Sequence, residues 1–308
     1  MIMHLTANPS LWSQLFDFAD YGQLLVLVRN SIIAGAALGI VGGLIGVFVM
    51  QRDMAFAVHG ISELSFAGAS GALLFGVNVV AGSLFGSLLA AVLIGVLGAR
   101  ARDRNSIIAV LMPFGLGLGI LFLALYPGRS ANKFGLLTGQ IVAVDNPQLG
   151  SLIVICLVVM AGLLLMWRPL SFDSLDEDVA AARGVPVGFV SLAFMVLLGL
   201  AVAVSVQIVG ALLVLSLLVT PAAAAMRVSS SPRVVPVLSV SFALVSVVGG
   251  ILLALGGDIP ISPYVTTISF LIYVICRLIG SPATRRRRAA RRRRVGDPER
   301  VKPVLDRV

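Results

Sequence analysis

The most constraining feature of this chain is the stretch 187–226, which is almost continuously apolar for 40 residues. About 20 apolar residues suffice to cross a bilayer as a helix, so this run reads as two crossings. Its only polar break, Ser205-Val206-Gln207, places the turn between them. Pro221 then bends or ends the second crossing before the polar segment 227–233. The rest of the chain repeats the pattern, with apolar runs over 31–50, 54–75, 80–98, 107–126, 149–166, 234–255 and 262–279. The expectation is an all-α polytopic membrane protein of about nine spans. Eight or ten follow if 187–226, or the short apolar piece 134–144, is partitioned differently.

Composition agrees. The chain is 58% hydrophobic and 12% charged, where soluble domains are nearer half apolar and a quarter charged. The net charge of +9 is local: from Arg277 onward there are twelve cations and three anions, and the rest carries eleven of each. The basic balance therefore describes a tail and gives no indication of a nucleic-acid surface. Cys156 and Cys276 both lie in apolar spans, so they read as small buried hydrophobes rather than a disulfide or thiolate metal site. Residues 1–22 read as an interfacial segment, 23–280 as the membrane domain, and 281–308 as a disordered, arginine-rich tail that can meet anionic lipid.

One span is unlike the others. The run 54–75 carries His59 and Glu63 within it, whereas the remaining ionisable residues sit in loops, in tails or near span ends. Four positions apart on a helix, the two lie one above the other on one face. Ser62 and Ser70 fall within roughly a 100° arc of them, making a polar stripe on an apolar helix. A carboxylate at membrane depth costs at least ~2.5–3.5 kcal/mol, so a cation, a proton or a pairing inside the bundle must offset it. The first span has glycines at 35, 39, 42, 43 and 46, spacings that let helices approach closely. The fourth combines Pro113 with Gly115, Gly117 and Gly119, a composition expected to kink or break a helix.

Between the fifth and sixth spans lies a hydrophilic segment, 171–186. Serine precedes the acids Asp173, Asp176, Glu177 and Asp178, an alanine run follows, and Arg183-Gly184 closes it. These are the signals of a capped short helix. Arginines concentrate on one side if the N-terminus is outside, which puts this segment, Arg52 and the basic tail in the cytoplasm. Glu63 then sits ~13–14 Å into the membrane. Enzymatic signatures are missing: there is no phosphate loop, nucleophile elbow or zinc-protease pattern.

Three stretches resemble the permease of the bacterial zinc/manganese/iron ABC importers, over about residues 25–280. They are Arg52-Asp53-Met54 entering the His59 helix, Phe172-Asp173 through Gly184-Val185-Pro186, and Val209-Gly210-Ala211-Leu212-Leu213 through Pro221-Ala222-Ala223. The family usually has Asp followed four residues later by His, where this chain has His59 and then Glu63. The resemblance implies a type II ABC importer-like transmembrane domain, working as a homodimer in the bacterial plasma membrane with its C-terminus cytoplasmic. It implies a path for a divalent metal ion (zinc, manganese or iron) with His59 and Glu63 as ligands and Ser62 and Ser70 lining the way. It also implies a separate cytoplasmic ABC ATPase dimer, docked at Asp173, Asp176, Glu177, Asp178, Arg183 and Gly184, and an extracytoplasmic metal-binding protein. No bound cofactor is expected, and this chain is not itself an enzyme. The rival reading is a proton- or ion-coupled carrier using the same His59–Glu63 pair.

Overall fold

A computed structural model describes residues 25, 28–98, 101–128, 144–211, 214–255 and 261–295. The 1–22 segment, the bulk of the 134–144 piece and the end of the tail lie outside the described residues. Among those described there are helices and no strands: α1 Arg29–Gln51, α2 Ala55–Leu74, α3 Val79–Leu97, α4 Ala101–Leu125, α5 Asn146–Asp173, α6 Glu177–Ala182, α7 Val187–Val209, α8 Val214–Leu218, α9 Thr220–Val228, α10 Val234–Ala254 and α11 Ile261–Val295.

Seven of these are long and apolar enough to cross a membrane: α1, α3, α4 from Arg104, α5, α7, α10 and α11 as far as Gly280. The 20-residue α2 is of similar length, but His59 and Glu63 lower its hydropathy. The eighth and ninth helices lie in one shorter apolar stretch, Val214–Val228, broken at Val219. Of the nine or so expected spans, seven are found as plain membrane-length helices among the described residues.

Four expectations are corrected. The turn inside 187–226 falls at Gly210, with φ +87°, while α7 runs straight through Ser205 and Gln207. Ser205 Oγ donates to the carbonyl of Ala201 at 2.8 Å, so its polarity is satisfied within the helix and interrupts nothing. The Pro/Gly cluster does not break α4, which is continuous over 25 residues. The fifth helix does not stop at Pro169 but continues to Asp173. The eleventh helix continues past the membrane through the arginine run to Val295 rather than dissolving at 281; alanine and arginine are both good helix formers.

Local chemistry sets the turns. Between α1 and α2, Asp53 takes φ +52° and Met54 N donates to Val49 O at 2.9 Å, a Schellman closure in three residues. The third helix is capped by Asn78, whose side chain accepts from Val80 N and Ala81 N, and α5 by Asp145, which accepts from Gln148 N.

Packing in lipid lacks a hydrophobic drive between helices, so close contact must supply it. The first-span glycines serve this purpose within the chain. A Cβ on Gly43 would fall 2.6 Å from the Val240 backbone of α10, and one on Gly39 would meet Leu244. Ser239 Oγ adds a 2.6 Å hydrogen bond to the carbonyl of Gly43. The second and third helices touch backbone to backbone at Gly68, Gly82 and Gly86. The result is a core of α1, α2 and α7. Phe85, Val96, Val154, Leu157 and Leu165 of α3 and α5 stand exposed, the apolar cladding that a lipid-facing surface requires.

Candidate functional site

The second helix is held on three sides. Against α3 lie the glycine contacts and a hydroxyl ladder: Ser65 Oγ and Ser83 Oγ are 2.8 Å apart, and Ser83 Oγ donates to Ala203 O of α7 at 3.2 Å. Such bonds contribute about 0.6 kcal/mol each on average in membranes. Against α4, a Cβ on Gly115 would meet the backbone of Glu63 and Leu64 at 2.9 Å, and one on Gly119 would meet the Phe66 ring. These glycines, which composition alone suggested would break α4, instead let it lie flush against the carboxylate's own turn. Of the 20 residues of α2, Gly60, Ser62, Glu63, Ser65 and Ser70 are among those buried.

On the remaining face, His59 Nε2 stands 3.6 Å from Glu63 Oε1, with side-chain exposures of 26% and 3%. His59 therefore forms the opening and Glu63 lies behind it. The contact is loose for a charge-assisted bond, which closes to about 2.7–2.9 Å. His59 Nδ1, Glu63 Oε2 and Ser70 Oγ are buried and have no hydrogen-bond partner among the described residues. Buried polar atoms are normally satisfied, so three such atoms on one face make it the candidate site. Ser62 differs: its hydroxyl donates to its own helix at His59 O, 2.8 Å away. The half-buried Gln207 of α7 also leaves Nε2 without a partner. Among the described residues, no three His, Cys, Asp or Glu side chains gather into a metal-holding group.

At the arginine-rich end of the same helix is a second ionic contact. Arg52 Nη2 lies 2.9 Å from Asp173 Oδ2, both well buried, and the guanidinium sits 5.4 Å from the centre of the Phe194 ring. Phe48 packs edge-on against both Trp167 and Phe194, closing the pair from the side. Burial lowers the Arg52 pKa below its usual range, opposed by the charge of Asp173; Arg104 lowers it further and Glu177 raises it. Asp173, expected at a docking surface, is thus turned inward. Asp176, Glu177, Asp178, Arg183 and Gly184 are exposed.

The short helix they belong to, α6, is capped by Asp176, whose side chain accepts from Val179 N at 3.1 Å, and not by a serine. Its end is as expected. Gly184, at φ +82°, donates to Ala181 O, and Val185 donates to Ala180 O, the paired bonds of a Schellman motif. Ala180 is fully buried beneath it. Sequence reasoning missed Ser65, Ser83 and the Arg52–Asp173 pair. The serines offered a signal, being small polar residues inside spans, whereas the ion pair joins positions 121 residues apart and offered none.

Comparison with known proteins places this arrangement. The model of the ABC 3 transport family matches residues 25–280. The chain belongs to that family. Its relatives in the family are membrane subunits of metal transport systems. It is 26% identical over 264 residues to the manganese transport system membrane protein MntC of Halalkalibacterium halodurans, covering 85% of this chain and 90% of that protein. It is 25% identical over 252 residues to the high-affinity zinc uptake system membrane protein ZnuB of Buchnera aphidicola, covering 80% and 95%. Among solved structures, PsaBC from Streptococcus pneumoniae in complex with Fab superposes with a TM-score of 0.75 at 25% identity, covering 84% of this chain and 95% of that one. The fold is that of an ABC importer permease, and a family member of this kind is a multi-pass protein of the plasma membrane.

Proposed function

We propose that this chain is the permease subunit of an ATP-driven importer of divalent transition metal ions, manganese, zinc or iron, with His59 and Glu63 as transient ligands. The observation that carries this reading is the pair itself: an imidazole and a carboxylate on one face of a buried membrane helix, each with an unpartnered buried atom. A mixed nitrogen and oxygen donor set suits manganese, iron and zinc. Two donors from one copy make half a tetrahedral site, which two copies facing a shared axis would complete. Such a site binds weakly enough to release its ion. The N-terminus is outside and the C-terminus inside, so α6 faces the cytoplasm, where it docks a separate ABC ATPase dimer through Asp176, Glu177, Asp178 and Arg183. An extracytoplasmic binding protein delivers the ion on the opposite side.

The test is metal uptake into proteoliposomes holding the permease with its ATPase and binding protein, offered Mn, Zn and Fe(II). ATP-dependent uptake by the natural chain, lost in both His59→Ala and Glu63→Ala while assembly persists, supports the reading. Uptake unchanged in both variants removes the pair from the path. Uptake independent of ATP replaces the importer with a secondary carrier.

A further inference from the structure

Resting on that reading, we propose that Arg52 and Asp173 form the link through which movement of α6 reaches the His59–Glu63 helix. Asp173 is the last residue of α5, and α6 begins at Glu177. The intervening turn is stiff: Ser174 Oγ donates to Leu170 O at 2.6 Å, Asp176 N donates to Phe172 O, and Asp176 caps α6 itself. On the other side, Arg52 is separated from Ala55, the first residue of α2, only by Asp53 and Met54, within a Schellman closure whose Met54 is 1% exposed. Two short rigid connections therefore meet at one buried ion pair. Neither side has slack to absorb a displacement of the other.

The pair is also suited to switching. Breaking a buried ion pair leaves an uncompensated charge, so it holds or exchanges rather than stretching gradually. Partners for exchange are at hand: Arg52 feels the charges of both Arg104, on α4, and Glu177, on α6. Arg104 Nε is buried with no partner. Arg104 begins the apolar part of the very helix that packs flush on Glu63 through Gly115. The buried pair thus ties the end of α5 to where α2 and α4 sit relative to one another, which is what a coupling element must do.

Arg52 and Asp173 are positioning residues under this scheme, since neither touches the ion. The experiment measures manganese transported per ATP hydrolysed by the full permease reconstituted with its ATPase and binding protein. Asp173→Asn should lower that ratio about tenfold, while ATP hydrolysis and manganese binding by the detergent-solubilised protein stay within about twofold. The exchanged double variant, Arg52→Asp with Asp173→Arg, should recover much of the ratio, and Arg52→Lys, which keeps charge but loses the fork, should fall between. A natural ratio in Asp173→Asn overturns the link, as does an equal fall of transport, hydrolysis and assembly in Asp173→Asn and Arg52→Lys. A cargo-independent arm separates this from failure of the metal reading. Spin labels at positions 56 and 179 report the distance between α2 and α6 with and without trapped ATP. A change in the natural chain that is lost in Asp173→Asn supports the link even if no metal is moved; a distance that responds identically in both overturns it.

Discussion

Two ionic pairs sit at the start of α2 and a turn further along it, and they are built in opposite ways. Arg52–Asp173 is tight at 2.9 Å and buried on both sides, with an aromatic wall of Phe48, Trp167 and Phe194 around it. His59–Glu63 is slack at 3.6 Å and open on the histidine side. A pair that holds helices must satisfy its own charges, because the interior will not. A pair that hands an ion onward must leave capacity unused, or release would require breaking the protein's own bonds. Distance and burial separate the two pairs, although each consists of one base and one acid.

The sharpest way to break the comparison is to truncate one member of each pair. Asp173→Ala strands the Arg52 charge and should destabilise by ~3–5 kcal/mol, read as thermal unfolding in detergent. Glu63→Ala removes a buried, unpartnered carboxylate oxygen, so it should instead raise thermal stability while cutting metal uptake by ~10–100-fold. Equal destabilisation by both would mean that His59–Glu63 is a packing pair as well. A smaller effect tests the exposed end. Asp176→Ala removes the cap of α6 and should cost that helix ~1 kcal/mol, seen as faster hydrogen exchange over 177–182. Since α6 is proposed to dock the ATPase, its affinity should weaken with it.

The sequence carried the spans and the pair within them, because apolar periodicity and an intramembrane His and Glu are local signals. It misplaced the turn of 187–226 because Ser205 and Gln207 looked like an interruption. A serine that bonds to the carbonyl four residues back is polar only in composition, and Gly210, able to take φ +87°, was the true break. The glycines of α4 were ambiguous for a similar reason. Flush packing and helix breaking both call for small residues, and only the position of α2 against Gly115 and Gly119 decides between them. Asp173 was read with its acidic neighbours as surface. Its burial depends on α5 continuing through Pro169, and on Arg52 arriving from a turn 121 residues earlier.

The finest test lies within the polar stripe of α2, where Ser62 and Ser70 appear equivalent in sequence. Ser62 spends its donor on His59 O, in the manner of many membrane-helix serines, so Ser62→Ala should alter stability by less than ~0.5 kcal/mol and uptake by less than about twofold. The Ser70 hydroxyl is fully buried and unpartnered. Burying an unmade hydrogen bond costs about 1–3 kcal/mol, so Ser70→Ala should raise thermal stability rather than lower it. If that hydroxyl meets the passing ion or its waters, uptake should fall several-fold in the same variant. Stability and transport would then move in opposite directions at Ser70 and together, by little, at Ser62. That divergence is the signature of a group kept unsatisfied for function.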